Sequence, residues 1–233
     1  MKKLTELNVL ITGGTHGIGK SISEQLASEV KNLIICSRNA NENDSHSNIK
    51  YFKLDVSKYD EVNHVYNILS DKGIEIDVLI NNAGVAFFKP FLETELEEIY
   101  NLYSINFFGV VNMLKVYLPD MIKNNFGKVI NINSVAAKNI FKNNSIYASS
   151  KYALDALSKT IREEIRDKGI DLIDVYPGAT ETRLWNPETK SEREGRMMEP
   201  QDVASAVIDI LNLSLNDRLI PEEIILRPKL GDL

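Results

Sequence analysis

Short apolar runs and amphipathic stretches alternate along the whole chain. Residues 7–12 form an apolar run that ends in glycines, and Ile18, Ile22 and Leu26 follow at four-residue spacing. An unbroken apolar run of this length is typical of a buried strand, whereas apolar positions at helical spacing are typical of one face of a helix. The opening of the chain therefore predicts a strand, a glycine turn and a helix.

The same alternation continues and predicts an α/β fold. Apolar strands separated by helices form parallel sheets that are covered by helices on both faces. We therefore predict a single domain over residues 1–233, built on a doubly wound parallel sheet of about seven strands. The predicted strands are 7–12, 32–36, 49–56, 76–84 with its turn, 127–134, 170–178 and 222–228. The predicted helices are 18–30, 58–72, 93–123 with interruptions at Gly109 and Pro119, 146–168 and 201–211, and 179–199 is predicted to be a charged loop.

Every candidate motif of the chain includes a residue at the carboxyl end of one of these strands. In open α/β sheets, ligands bind in the crevice beyond those ends. The coincidence of so many chemical groups at one edge therefore predicts a single binding site there. The residues concerned are Gly13, Arg38, Asp55, Asn82, Ser134 and Pro177, one after each of the first six strands.

The glycine turn at 12–19 reads Thr-Gly-Gly-Thr-His-Gly-Ile-Gly. Glycines let a backbone turn sharply and approach a pyrophosphate, which then lies at the positive end of the following helix. The turn therefore predicts a dinucleotide site. Its candidate contacts are Gly13, Thr15, His16, Gly17, Ile18 and Gly19.

The same letters also satisfy a phosphate-binding P-loop, because residues 14–21 read GTHGIGKS. In that alternative, a kinase or NTPase, Lys20 would contact nucleotide phosphates and Ser21 a magnesium ion. A P-loop protein also needs a metal-holding aspartate after a neighbouring strand, and only Asp55 is available. We favour the dinucleotide site, in which Lys20 is a solvated first-turn residue.

The second strand ends in Ser37 and Arg38 rather than in an acidic residue. An acid at this point would bind the ribose 2′-hydroxyl of NAD(H), whereas an arginine suits a 2′-phosphate. We therefore predict that NADP(H) is preferred over NAD(H), with His16 as a weaker helper. The alternative is that Arg38 lies in solvent at the end of the strand.

Tyr147 and Lys151 are four residues apart in a segment with helical apolar spacing, so they project from one face. A phenol has a pKa of about 10, and an ammonium within about 4–6 Å favours its anion. Ser134 arrives nearby at the end of the fifth strand. These three side chains can together move a proton, although a Tyr-x-x-x-Lys pair alone also occurs on solvated helices.

Taken together, the motifs resemble the short-chain dehydrogenase/reductase family over essentially the whole chain. The matching segments are TGGTHGIG at 12–19, NNAG at 81–84, Asn106 in SINFFG, Ser134 with Tyr147 and Lys151, and PGATET at 177–182. The resemblance implies a Rossmann-type sheet and hydride transfer between a nicotinamide and a carbonyl or alcohol carbon. A non-catalytic NADP(H)-binding redox sensor is the alternative from another class.

The resemblance also implies residue roles. Tyr147 is the general acid/base, Ser134 donates a hydrogen bond to the reacting oxygen, and Lys151 lowers the pKa of Tyr147 and binds the nicotinamide ribose. Asn106 completes the catalytic set by holding a water that relays protons to Lys151. The alternatives are that Asp55 caps the next helix and that Asn106 satisfies a broken helical ladder. The implied cofactor contacts beyond the glycine turn are Ser37, Arg38, Asp55, Val56, Asn82, Ala83, Gly84, Tyr147, Lys151, Pro177, Gly178, Thr180 and Thr182.

Composition narrows the class of partner. A net charge of −6 and a pI near 5.2 argue against a general nucleic-acid binder, and no apolar run reaches membrane-spanning length. We expect a cytoplasmic protein that acts on a small molecule and, by analogy with the family's paired helices, forms a homodimer or homotetramer. Cys36 is expected to be a buried strand residue, and the three scattered histidines predict no metal site.

The substrate is left open by the sequence. Candidate wall residues come from two apolar segments and from the predicted loop, but they are equally suited to the core or to subunit contacts. They are Phe87, Phe88, Ile140 and Phe141 on one side, and Trp185, Met197 and Met198 on the other.

Overall fold

The computed structural model describes residues 2–216 and 218–232, and within them it contains one seven-stranded parallel sheet. The strand order is β3-β2-β1-β4-β5-β6-β7. The strands are β1 (Asn8–Thr12), β2 (Asn32–Ser37), β3 (Ile49–Lys53), β4 (Val78–Asn81), β5 (Gly127–Ile132), β6 (Ile170–Pro177) and β7 (Glu223–Leu226). The helices are α1 (Gly17–Leu26), α2 (Tyr59–Asp71), α3 (Leu96–Tyr103), α4 (Gly109–Lys123), α5 (Ser145–Glu164), α6 (Pro187–Glu192) and α7 (Pro200–Ser214). The predicted doubly wound α/β class is confirmed.

Both faces of the sheet are buried, as the unbroken apolar strands predict. Leu10 of β1 packs into a core that includes residues of α2, α4 and α5. Its neighbours Val9 and Ile11 pack into a second core with α1 and α7. Successive side chains of a strand point to opposite faces, so one apolar strand supplies both cores.

The order of the strands reverses beside β1, which pairs with β2 on one side and with β4 on the other. Such a switch point opens a crevice at the carboxyl ends of the central strands. The glycine turn after β1 and the Asn-Asn-Ala-Gly segment after β4 therefore lie next to each other.

The long predicted helix over 93–123 is wrong in detail. It is divided into α3 and α4 by a wide, π-helical turn over Ser104–Phe108, whereas Pro119 lies inside α4 without ending it. The residue after the wide turn is Gly109, and a Cβ there would lie 2.6 Å from Cγ2 of Val56. Close packing on the segment after β3 thus requires a glycine where helix propensity alone disfavours one.

The charged loop predicted for 179–199 is also only partly correct. Its central part forms the short helix α6, whose first turn is capped by Asn186 accepting a hydrogen bond from the Thr189 amide at 2.7 Å. Asparagine caps and a proline in the first turn are typical helix starts. The many charged residues of the segment led to the prediction of a loop despite this helix start.

Two smaller observations complete the fold. Cys36 is buried in β2 as expected, and burial raises the pKa of its thiol. In the described part of the chain, none of the helices is both long and apolar enough to cross a bilayer.

Candidate active site

A cavity of about 780 Å³ lies beyond the carboxyl ends of the strands. Turns after β1 to β6 and the segment that contains α6 form its walls. Nearly all the predicted site residues meet there. Those on the wall are Gly13, Thr15, His16, Gly17, Ile18, Ser37, Arg38, Asp55, Val56, Asn82, Ala83, Gly84, Ser134, Tyr147, Lys151, Pro177, Gly178, Thr180 and Thr182.

The glycine turn presents backbone to the cavity. Gly13 and Gly17 have φ values of 67° and 53°, which side-chain-bearing residues rarely adopt. A Cβ on Gly13 would also lie 2.9 Å from Nδ2 of Asn82. Helix α1 begins at Gly17, so its positive end faces the space that the glycines leave open. This geometry fits a dinucleotide pyrophosphate.

Gly19 is a correction to the predicted set of contacts. It is buried behind the cavity wall, and a Cβ there would lie 2.3 Å from Nδ2 of Asn82 and 2.4 Å from the Gly13 carbonyl oxygen. Gly14, which was not among the predicted contacts, is packed just as closely, because a Cβ there would lie 2.8 Å from Cγ2 of Ile35. These two glycines allow close packing of the turn rather than contact with a ligand.

Thr12 and Asn82 join the ends of β1 and β4. The Thr12 hydroxyl accepts hydrogen bonds from the amides of Asn82 and Ala83, at 3.0 Å each. The Asn82 side chain donates to the carbonyl oxygens of Thr12 and Gly13, at 2.9 and 3.1 Å. Thr12 was not predicted as a site residue, although its position immediately before the glycines could have indicated it. Both side chains hold the turn, and the 82–84 backbone faces the cavity.

The far end of the cavity contains Ser37, Arg38 and Asp55. The Asp55 carboxylate accepts hydrogen bonds from the amide and hydroxyl of Ser57, at 3.0 and 2.7 Å, so it caps the turn before α2 while lining the wall. Arg38 lines the same end without an acidic residue at the end of β2. An arginine at this position can accommodate a ribose 2′-phosphate.

His16 lies in the glycine turn near two cations. Burial, Arg183 and Lys20 together lower its pKa, so it is neutral at physiological pH. Its ring nitrogen lies 3.0 Å from the Thr15 hydroxyl, which in turn donates to Ser37 at 2.9 Å. Arg183 lines the cavity and was not predicted, because nothing in the charged segment distinguished it from its neighbours.

Ser134, Tyr147 and Lys151 meet at the other end. Ser134 caps the short turn that follows β5, where its hydroxyl accepts a hydrogen bond from the Ala136 amide at 3.1 Å. Lys151 is only 6% exposed, and its ammonium donates to the Ile132 carbonyl oxygen at 3.0 Å. It lies 5.8 Å from the ring centroid of Tyr147. The three side chains therefore share one wall of the cavity.

The electrostatics differ from the prediction. Burial raises the pKa of Tyr147, and the Ser134 hydroxyl, hydrogen-bonded to it, acts in the opposite direction. Burial also lowers the pKa of Lys151 to about 8, against the favourable charge of Asp174. Burial therefore dominates the pKa of Tyr147, and the influence that opposes it comes from Ser134 rather than from Lys151 as expected.

Asn106 lies in the wide turn before α4, behind the cavity wall. Its oxygen accepts from the Val85 amide at 2.9 Å, and its nitrogen donates to the Val85 carbonyl oxygen at 2.9 Å and to the Ser150 hydroxyl at 3.3 Å. Both amide hydrogens are therefore used. The side-chain nitrogen of Asn106 therefore has no hydrogen left to donate to the predicted relay water, which could be held by an oxygen atom of this residue.

Aromatic rings line the space in front of Tyr147. Phe88 packs edge-on against Tyr147 at 6.0 Å between centroids and stacks on Trp185 at 5.0 Å. The indole of Trp185 donates to the Thr180 carbonyl oxygen at 3.0 Å, which ties the segment with α6 to the end of β6. Phe87 and Phe141 also line the cavity, as suggested by the sequence.

Three other candidate wall residues lie elsewhere. Ile140 is 94% exposed and outside the cavity. The Met198 amide donates to the Ala179 carbonyl oxygen at 3.0 Å, and its side chain packs against the core beside α7. Neither it nor Met197 lines the site.

The P-loop alternative does not fit the geometry. Ser21 is buried, so its hydroxyl is not available to a magnesium ion beside the glycine turn. Lys20 forms an exposed ion pair with Glu24 at 3.5 Å and lines a smaller, separate depression. Lys20 thus has the solvated role expected in the dinucleotide interpretation.

Comparison with known proteins decides between the classes. The family described as short chain dehydrogenase matches residues 7–193. The chain belongs to this family. It is therefore an oxidoreductase with a Rossmann-type fold, and the family resemblance predicted from the motifs is confirmed.

Among the relatives is an uncharacterised oxidoreductase of Staphylococcus aureus, 26% identical over 89% of this chain and 92% of that protein. The NADP-dependent 3-hydroxy acid dehydrogenase of Schizosaccharomyces pombe is 29% identical over 94% of each chain. Among solved structures, NADP-bound ElxO has a TM-score of 0.84 and 28% identity over 95% of this chain and 97% of its own. A serine dehydrogenase with NADP+ has a TM-score of 0.90 over 97% of each chain, and at 22% identity it bears on the fold alone.

Proposed function

We propose that this short-chain dehydrogenase transfers a hydride between NADP(H) and the carbon of a carbonyl or secondary alcohol, with Tyr147 as the general acid/base. The observation that supports it is the meeting of Ser134, Tyr147 and Lys151 in one cavity with the glycine turn. A proton-transfer group thus faces the place where a nicotinamide cofactor would deliver its hydride.

The residues of the cavity suit NADP(H). The backbone of 13–17 and the start of α1 would hold the pyrophosphate, the 82–84 backbone the middle of the cofactor, and Arg38 the 2′-phosphate. Thr180 and Thr182 would contact the carboxamide end. When bound, the nicotinamide supplies or accepts the hydride. The similarity to NADP-bound ElxO and to the NADP-dependent dehydrogenase of fission yeast supports this choice.

The protonation state of Tyr147 suits the proton transfer of carbonyl reduction at neutral pH. Because burial raises the pKa of Tyr147, the phenol keeps the proton that a carbonyl oxygen must receive. Ser134 would donate a hydrogen bond to the same oxygen and stabilise its developing charge. Lys151 would bind the ribose and, below its pKa of about 8, place a positive charge beneath the reacting groups.

We also propose a cytoplasmic homodimer or homotetramer. Apolar side chains on α3 and the wide turn, including Leu96, Tyr100 and Phe108, are exposed in the single chain. Helices of this region resemble those through which family members pair. Sedimentation analysis would test the assembly, and a monomer at micromolar concentration would contradict it.

The test is NADPH oxidation with a panel of carbonyl compounds, beginning with 3-oxo acids because of the fission yeast relative. Tyr147→Phe should lower turnover about 10²- to 10⁴-fold, the usual contribution of general acid catalysis. Tyr152→Phe, an exposed tyrosine on the same helix, is the matched control and should behave like wild type.

Two outcomes would overturn the proposal. Full activity of Tyr147→Phe would refute the assigned role of the phenol. Tight NADPH binding without turnover of any compound would instead favour a non-catalytic, redox-sensing protein.

A further inference from the structure

A half-buried lysine outside the cavity adjoins the turn that carries Ser134. Lys138 immediately follows the short helical turn Val135–Ala137, and its side chain is only 19% exposed. Its ammonium donates to Asp155 and to Glu223, at 2.8 Å each. It also lies 4.1 Å from the ring centroid of Tyr176. A side chain with these contacts is fixed in place, yet Lys138 does not line the cavity.

The partners of Lys138 belong to elements that position the catalytic groups. Asp155 lies on α5, one helical turn after Lys151. Glu223 begins β7, and Tyr176 is the penultimate residue of β6. The ammonium therefore joins the Ser134 turn to the helix of Tyr147 and to the edge of the sheet.

The network is charged at neutral pH. Burial disfavours the Asp155 carboxylate, but hydrogen bonds from Lys138, Tyr176 and Lys159 outweigh it and lower the pKa of Asp155. Burial also disfavours the Glu223 carboxylate, but hydrogen bonds from Lys138 and Lys159 outweigh it and lower the pKa of Glu223. Charge-assisted hydrogen bonds of this kind are stronger and shorter than neutral ones.

We propose that Lys138 is a positioning residue, which sets the distance between Ser134 and Tyr147 by tying the Ser134 turn to Asp155 and Glu223. The inference rests on the proposed function for its catalytic consequence, but not for its structural one. Asn139 provides a second contact, because its side-chain nitrogen donates to the Asp232 carboxylate at 2.8 Å.

A neighbouring lysine provides a matched control. Lys159 contacts the same two carboxylates, Asp155 at 3.0 Å and Glu223 at 3.2 Å. It lies on α5 rather than on the Ser134 turn, and its side chain is 45% exposed. Lys138→Met and Lys159→Met therefore remove the same charge from the same network, but only the first releases the turn.

The kinetic test compares these two variants with Lys138→Arg. Misplacement of a reacting group by about 1 Å lowers rates up to about 100-fold, so Lys138→Met should lose roughly ten- to hundredfold in kcat. Its KM for NADPH should stay within about twofold, because the glycine turn is untouched. Lys159→Met should remain near wild type, and Lys138→Arg should recover most of the kcat.

A pH profile separates positioning from general destabilisation. The polar groups next to Tyr147 are the Ser134 hydroxyl on the turn, which lowers its pKa, and the Lys151 ammonium on α5, which itself is influenced by Asp174 of β6. If the Ser134 hydrogen bond is weakened, the pKa of Tyr147 rises. The increase of alcohol oxidation with pH should then move to higher pH in Lys138→Met and not in Lys159→Met. A purely structural defect would lower the rate equally at every pH.

Amide hydrogen exchange tests the structural part without any turnover. The amides of Ala137, Lys138 and Asn139 donate to carbonyl oxygens of the turn, at 2.8–2.9 Å. They should exchange faster in Lys138→Met than in Lys159→Met. Faster exchange in an enzyme with no measurable wild-type turnover would leave this inference standing and refute the proposed function. Equal exchange and equal kcat in the two variants would overturn the inference itself.

Discussion

The two walls of the cavity are built differently. On the cofactor side, Thr12, Gly13, Gly19 and Asn82 interlock so closely that added atoms would overlap backbone. On the substrate side, the segment with α6 is held mainly by the stack of Trp185 on Phe88 and a few hydrogen bonds. The first wall tolerates little change, whereas the second can vary without disturbing the fold.

The largest effect is expected where the cofactor wall is tightest. Gly19→Ala would place a Cβ 2.4 Å from a backbone oxygen, so the free energy of unfolding should fall by about 1–3 kcal/mol. Gly84→Ala, whose nearest neighbour would be at 3.4 Å, is the control. Chemical denaturation of both variants measures the difference. Equal stability would show that the turn is not tightly packed and would remove the contrast between the walls.

A second effect of similar size concerns cofactor choice. Arg38→Asp should remove a charge-assisted bond to the 2′-phosphate, worth about 1.5–3 kcal/mol, and so shift the NADPH/NADH affinity ratio roughly ten- to hundredfold toward NADH. Cofactor titration of this variant and of the surface control Lys31→Asp gives the ratio. An unchanged ratio would mean that Arg38 lies in solvent.

The next prediction concerns stability against pH. Lys151 has its pKa lowered from 10.5 to about 8 in the folded chain, so between these values the unfolded chain binds more protons. The free energy of unfolding should therefore rise with pH over this range, by about 1–2 kcal/mol at pH 9.5 relative to pH 8. Lys151→Met should lack this increase. Denaturation measures the free energy of unfolding of both proteins at the two pH values. The same change with pH in wild type and in Lys151→Met would contradict the burial of a titrating ammonium.

The smallest effect is expected on the substrate wall. Trp185→Ala removes a stacked pair worth about 0.5–1.5 kcal/mol, so the carbonyl KM should rise several-fold while NADPH affinity stays unchanged. Trp185 is also the only tryptophan of the chain, so its fluorescence reports directly on this wall. A loss of NADPH affinity in Trp185→Ala would show that the two walls are coupled.

Much of the fold and site could be predicted because the signals are local. Apolar runs predicted all seven strands, the glycines and Ser134 were predicted at strand ends, and helical spacing placed Tyr147 and Lys151 on one helix face. A positive φ at Gly13 or Gly17 depends on the backbone of a single residue, so the presence of glycine in the sequence is enough to predict it. The 2′-phosphate prediction, by contrast, depends on an absent acid and stays a prediction.

By itself, the sequence determined the α/β class and the parallel sheet, since both follow from residue type and short-range spacing, and it predicted Ser134, Tyr147 and Lys151 as the proton-transfer set. Only the tertiary structure decided that Gly19 packs behind the turn, that Asn106 binds Val85, and that burial raises the pKa of Tyr147. It alone brought Lys138 to Asp155 and Glu223. Burial and contacts between residues far apart in the chain depend on how whole elements pack, and no local pattern encodes that.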